Sequence, residues 1–304
     1  GNGVSVMATL QLYKNLGELI EILDKTGTHK DKTEKYRAAR QSIKRGLEQN
    51  AVKNGKVMHG WGDNKKWYIG SDNECDGKNR VGLTSNAFWV LSGMNEKQDM
   101  RAYILQAFDR LDSKYGIKTF EPYFEPNNDK VGRITRLPKG TAENAATYIH
   151  ATLFAIWALY KLGEYTKAEE QLKKILPLTH DFISTTPFVM PNSYVYNEEK
   201  GFDGESMSDW FTGSCAVLGK VLFLEIFGLR PDLNGLTIAP AKSTLFRELK
   251  TVLHFKSGEL EIFYKNMGAG KRKITVNGKT IQVESVVLQN AEIYKNRVVV
   301  EISD

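Results

Sequence analysis

The chain has 304 residues with 42 Lys and Arg against 36 Asp and Glu, a formal charge of +6, long enough for one large domain or two ordinary ones. Its basic residues are spread along helical stretches such as 30–45, with one tight run at 271–273 and no interleaved aromatics, which reads as solvated faces rather than a nucleic-acid surface. Two cysteines, Cys75 and Cys215, argue against a disulfide scaffold, lack metal-ligand spacing and fit a reducing compartment; no apolar run approaches the ~18 residues of a membrane span, so a cytoplasmic protein without membrane partners is expected.

The sequence opens at Gly-Asn-Gly and passes at once into Val4, Val6, Met7, Leu10 and Leu12, as if a loop delivered it to a helix already inside a domain. The expectation is that further chain precedes it. Leu10, Tyr13, Leu16, Leu19, Ile20 and Leu23 keep a three-to-four spacing that predicts an amphipathic helix over 5–24, ending near Gly27. A second helix is predicted at 32–48. Residues 55–70 hold two short β-prone runs flanking Gly62-Asp-Asn, the pattern of a hairpin. Further helices are predicted at 85–92, 96–111, 142–162, 165–176 and 214–227. Paired helices with alternating short and long connections suit a toroid of helical hairpins, and seven are too few to close a twelve-helix ring. The connections 118–140 and 188–211 exceed the ~12–15 residues usual for structureless loops, which marks them as functional.

Beyond Gly228-Leu-Arg-Pro the apolar period becomes two, predicting strands at 236–238, 250–255, 260–264, 273–276, 280–283 and 298–302, with turns at Ser257-Gly258 and Asn277-Gly278. The expected fold is therefore mainly α: a partial (α/α)6 toroid over 1–230, followed by a small antiparallel β-sandwich over 231–304.

No Ser/His/Asp set, glycine-rich nucleotide loop or Cys/His metal pattern is present, so carboxylates, aromatics and anion-binding groups on the long loops are the candidates. The segment from Arg133 through Arg136 to Glu143 and Asn144 leads into a predicted helix, on which His150, seven residues after Glu143, shares a face with it. Thr141 as a helix cap and His150 as a core histidine remain the ordinary alternative. Asp209-Trp210-Phe211-Thr212-Gly213-Ser214 runs straight into an apolar helix, offering free N–H groups and a positive dipole end to an anion; an ordinary N-cap explains it equally. Loop aromatics Trp61, Trp67, Tyr68, Phe120, Tyr123, Phe124, Tyr194, Tyr196 and Trp210 could stack on sugar rings or fill the core.

Gly3-Val-Ser-Val-Met-Ala-Thr-Leu, Gly132-Arg-Ile-Thr-Arg-Leu-Pro-Lys-Gly-Thr-Ala-Glu-Asn, Tyr148-Ile-His-Ala, Asp209-Trp-Phe-Thr-Gly-Ser and Gly228-Leu-Arg-Pro together resemble glycoside hydrolase family 94, the cellobiose, chitobiose and β-glucooligosaccharide phosphorylases. Order and spacing agree over residues 1 to about 241. The resemblance implies inverting phosphorolysis of a β-linked oligosaccharide: phosphate, a co-substrate, attacks the anomeric carbon while a carboxylic acid protonates the leaving oxygen. No metal or organic cofactor follows from it. It also implies that His150, Thr212 and Gly213 hold phosphate, that Glu143 binds sugar, and that the enzyme is a homodimer; Arg136, Tyr194 and Trp210, on the nearby loops, are expected as further sugar contacts.

Two departures bear on the chemistry. The family's acid is the last residue of an Asp-Trp-Asn-Asp motif shortly before the segment matching 3–9, which places the proton donor upstream of this sequence. Asp76, in Glu-Cys-Asp-Gly-Lys-Asn-Arg, is a weak internal substitute. The family's Gly-Gly after Glu-Asn is Ala145-Ala146 here, which would narrow the backbone's approach to a ligand. Two other readings stand beside phosphorolysis: an inverting hydrolase with Glu205 or Asp209 as base, and a non-catalytic carbohydrate-binding or assembly module.

Overall fold

The computed structural model describes residues 3–62, 69–70, 74, 76–97, 99–126, 131–180, 187–197, 199, 201, 203–208, 212–242, 245–265, 270–281 and 283–304, with Thr212 as backbone alone. Cys75, Trp67, Tyr68, Asp209 and Trp210 lie outside the described residues. The chain forms two compact units, Gly1–Leu162 with Gln171–Val217 and Gly163–Glu170 with Leu218–Asp304.

In the first unit, helix α1 (Val6–Thr26) starts where the Ser5 hydroxyl accepts the Ala8 N–H at 3.3 Å and stops at Gly27, whose φ of 67° suits glycine. Val6, Leu10, Tyr13 and Ile20 are buried. Leu19, which the spacing assigns to the buried face, is exposed together with Leu12 and Ile22. Helix α2 (Lys30–Asn50) packs on α1: Arg40 lies 4.2 Å over the Tyr13 ring, its Nε donates to the Tyr13 carbonyl at 3.1 Å, and Arg37 pairs with Asp24.

A tight hairpin follows, but its turn is Asn54-Gly55, both at positive φ (49° and 71°), joining Val52–Lys53 to Lys56–Val57. Gly60–Trp61 pairs instead with Val4–Ser5. Residues 63–64 of the turn expected there lie outside the described residues. Helix α3 (Thr84–Leu91) is buried at every position after Thr84, because α1 and α5 (Ile149–Lys161) both pack against it; Phe88 meets Phe154 edge-on at 4.8 Å.

Helix α4 (Arg101–Leu111) buries Ile104, Ala107, Phe108 and Leu111, the three-to-four spacing of a surface helix. It begins later than expected: Glu96, the first residue assigned to it, belongs instead to the 3-10 turn Met94–Glu96. Helix α5 likewise starts at Ile149 rather than near 142. Helices α6 (Tyr165–Ile175) and α7 (Thr212–Val221) complete the predicted set, and Leu222–Ile226 continues α7 as a π-helical turn. A further one-turn helix, α8 (Asn290–Ile293), was not anticipated.

The second unit holds two sheets. Leu229–Pro231, Gly235–Ile238 and Val286–Gln289 form an antiparallel trio. The five-stranded sheet runs in the order Glu248–Phe255, Gly258–Lys265, Arg297–Ser303, Lys273–Val276, Lys279–Ile281. It is mixed rather than antiparallel: the last strand inserts between two earlier ones and lies parallel to Gly258–Lys265, with Ile262 opposite Val300. Alternate residues of both sheets, among them Leu236, Ile238, Leu288, Leu260, Ile262, Val298 and Val300, enter one core cluster, and period two is the pattern a half-buried strand requires. Asn277-Gly278, at φ 47° and 80°, closes the predicted two-residue hairpin. The strand Leu229–Pro231 escaped the pattern because it is three residues long and ends at a proline. The architecture is thus a helical region followed by a β region. Among the described residues no helix is long and apolar enough to cross a membrane.

Candidate active site

Two motifs far apart in the chain meet in the first unit. His150 sits in the first turn of α5, one residue inside the helix that Thr147–Tyr148 leads into, and its ring lies 4.8 Å from that of Phe154 one turn on. Gly213 sits in the first turn of α7. A Cβ on Gly213 would lie 3.1 Å from His150 Nδ1, tighter than ordinary contact, so glycine lets the α7 backbone approach the imidazole. Burial pushes the His150 pKa below the usual histidine value, because desolvation penalises the charged ring.

His150 lines a cavity of about 390 Å³ together with Glu143, His59, Gln11, Phe120 and Phe154. Glu143 reaches it from a tight turn, not from a helix as the spacing suggested. Thr141 and Asn144 bridge each other, and Ala142 and Ala145 adopt positive φ of 43° and 70°. The cause is Asn144, fully buried: its amide donates to the Phe124 and Leu137 carbonyls at 3.0 and 2.9 Å and accepts the Phe124 N–H at 2.9 Å. Three hydrogen bonds to a buried amide outweigh the ~1–2 kcal/mol a left-handed non-glycine residue costs. Ala145 therefore occupies a conformation that glycine adopts more readily. The Glu143 carboxylate is paired with Arg133 at 3.0 Å, and Thr119 donates to its carbonyl at 3.1 Å.

The two long connections singled out by length do meet, around a second cavity of about 220 Å³ lined by Lys118, Tyr123, Lys139, Tyr196 and Asn197. Lys139 Nζ stands 4.5 Å over the Tyr123 ring and Lys118 Nζ 4.6 Å over Tyr196. Phe120 lines both cavities.

Four of the expected residues are placed as follows. Tyr194 is buried, its hydroxyl donating to the Ile175 carbonyl at 3.1 Å and its ring packed on His180 at 4.5 Å. Arg136 ends the short helix Arg133–Arg136 exposed, and it is Ile134 of that helix that lines the cavity. Asp76 is held by both terminal nitrogens of Arg80, at 2.9 and 2.6 Å, which keeps its carboxyl below the usual carboxylate range, the reverse of what a proton donor at neutral pH needs. Glu205, offered as a hydrolytic base, is exposed and lines neither cavity. Trp210 and Asp209 fall outside the described residues, and among those described no group of three or more His, Cys, Asp or Glu is arranged to hold a metal.

Sequence reasoning missed His59. It lies in no recognisable motif, yet burial pushes its imidazole down to about 4. The unfolded chain protonates this ring near 6.5, so folding stability is fully present above that pH and is lost as pH falls from about 6.5 towards 4. The loss amounts to at most about 3 kcal/mol. Urea unfolding at pH 7.5 and 4.5 is expected to show a larger drop for the native chain than for His59→Gln.

The sequence model of the Glycosyl hydrolase 94 superfamily catalytic domain matches residues 1–228, and the chain belongs to that family. Cellobionic acid phosphorylase of Neurospora crassa is 28% identical over 86% of this chain and 34% of its own length. N,N'-diacetylchitobiose phosphorylase of Vibrio furnissii is 27% identical over 76% of this chain and 31% of its own. Solabiose phosphorylase of Paenibacillus borealis is 27% identical over 92% and 37%. The chain spans about a third of the length of these relatives.

Proposed function

We propose that this chain is part of an inverting glycoside phosphorylase that cleaves a β-glycosidic bond with inorganic phosphate and yields a sugar 1-phosphate. The carrying observation is the meeting of His150 with the Gly213 backbone at the start of α7. The first backbone N–H groups of a helix lack intrahelical partners and its N-terminal end is positive, so an anion beside Thr212 and Gly213 is favoured there. The imidazole of His150 adds a hydrogen bond from the other side, and Glu143 in the same cavity accepts from sugar hydroxyls.

Phosphate oxygen attacks the anomeric carbon as the glycosidic C–O bond breaks on the opposite face, and the leaving oxygen takes a proton. The proton donor in this reading comes from chain outside these residues, since Asp76 is committed to Arg80. The same reading takes residues 1–230 as part of an (α/α)6 barrel and 231–304 as a β domain, in a cytoplasmic homodimer.

Millimolar phosphate is expected to move the His150 ring signals in NMR and to raise its pKa, because an adjacent anion favours the charged imidazole. His150→Ala should weaken phosphate binding by roughly 10- to 100-fold, the range of a hydrogen bond to a charged group. Gly213→Val, which pushes a side chain onto the ring, should act in the same direction. Unchanged phosphate affinity with a lowered melting temperature would instead make His150 a packing residue and remove the main support for phosphorolysis.

A further inference from the structure

His59 lines the same cavity and has no role in the phosphate-binding arrangement. The backbone of His59 is pinned on both sides, its N–H donating to the Ile69 carbonyl at 3.1 Å and its carbonyl accepting the Val6 N–H at 3.1 Å, which ties it to the start of α1. Its ring rests in a notch made by two glycines. A Cβ on Gly82 would lie 2.6 Å from Cε1, 2.8 Å from Nδ1 and 3.0 Å from Nε2, and one on Gly70 would lie 3.0 Å from Cδ2. Any side chain at Gly82 would displace the ring. Within this notch Nε2 is buried and has no hydrogen-bond partner among the described residues. A buried polar atom without a partner is costly, and such orphans in native proteins call for an explanation. The residue also lines the cavity that holds Glu143 and His150, so a ligand in that cavity lies beside this ring.

The charge state selects the ligand chemistry. Burial keeps the ring neutral down to about pH 4, so it carries no positive charge with which to hold phosphate. A neutral imidazole has one donor and one acceptor nitrogen, the complement of a hydroxyl that can itself donate and accept.

We propose that His59 is a sugar-binding residue whose Nε2 takes a hydrogen bond from, or gives one to, a hydroxyl of the saccharide in this cavity, beside the His150 and Gly213 anion site. This assignment rests on the phosphorylase reading, and the test separates the two. The chain is titrated with glucose, N-acetylglucosamine, cellobiose and inorganic phosphate in turn, following the histidine ring nitrogens and protons by NMR. At least one of the sugars is expected to shift the His59 signals, while phosphate shifts those of His150. His59→Ala should weaken binding of that sugar about tenfold and leave phosphate affinity unchanged, with His59→Gln recovering part of the loss. Gly82→Ala, which keeps the imidazole but dislodges it, should reproduce the sugar defect.

If none of the sugars perturbs the His59 ring, or if the responding sugar binds His59→Ala as tightly as the native chain, the assignment is overturned. A response of His59 to phosphate alone overturns it as well, because the residue is then part of the anion site. A sugar response that depends on His59, with no phosphate binding at all, leaves the assignment standing and sinks the phosphorylase reading. The native chain's own spectrum decides the question even where a variant fails to fold.

Discussion

Arg80→Ala is expected to lower the unfolding free energy by about 3–5 kcal/mol, the cost of leaving a buried ion pair with one partner. Arg80 is fully buried and serves four groups at once. It pairs with Glu74, itself buried; it forks onto Asp76; and it donates to the Pro122 and Tyr123 carbonyls at 2.9 and 3.0 Å. Its guanidinium also lies 3.7 Å over the Phe124 ring. Burial pushes the Glu74 carboxyl up despite this pairing, so without Arg80 it would have to take a proton or find water. Arg80→Lys restores charge but neither the planar fork nor the reach to two carbonyls, and it should recover less than half of the loss. Urea unfolding of the three proteins, followed by tryptophan fluorescence, measures this. A loss under about 1 kcal/mol in Arg80→Ala would mean that the cluster is hydrated and peripheral.

Gly140→Ala is the second large effect expected, and it acts on the cavities through the backbone. Gly140 has a φ of 68°, and a Cβ there would lie 1.7 Å from the Tyr196 carbonyl oxygen, a backbone atom that cannot rotate away. The Gly140 N–H donates to the Asn144 carbonyl at 2.8 Å and its carbonyl accepts the Tyr196 N–H at 2.9 Å. One residue thereby joins the turn carrying Glu143 to the loop carrying Tyr196. Left-handed strain of ~1–2 kcal/mol and the clash together should cost about 3 kcal/mol or more, or else force the two segments apart. A thermal shift separates these outcomes from a third, in which melting is unchanged and the sugar response of His59 persists; that result would show the contact to be dispensable.

Part of this protein was legible in its residues because the signals are local. The Ser5 cap, the Gly27 stop, the spacing of Leu10 and Tyr13, and the Asn277-Gly278 turn each act within one or two turns of chain, where steric and hydrogen-bonding rules hold regardless of context. Helical spacing placed Glu143 beside His150, and the structure brings the two to one cavity by a different route. Both residues line it, but Glu143 does so from a turn organised by buried Asn144, whose partners at Phe124 and Leu137 no local pattern announces.

The sequence by itself determined the helical region, the change to period two after Gly228, the turn glycines and the family motifs, since these follow from backbone sterics and the alternation of apolar residues. Only the tertiary structure decided that Asp76 is locked to Arg80, that Tyr194 is buried, that the last strand runs parallel to Gly258–Lys265, and that His59 sits in a glycine notch with a nitrogen that has no partner among the described residues. Each of these depends on which distant segments exclude water from one another, and burial of that kind is a property of the packed chain rather than of any stretch of it.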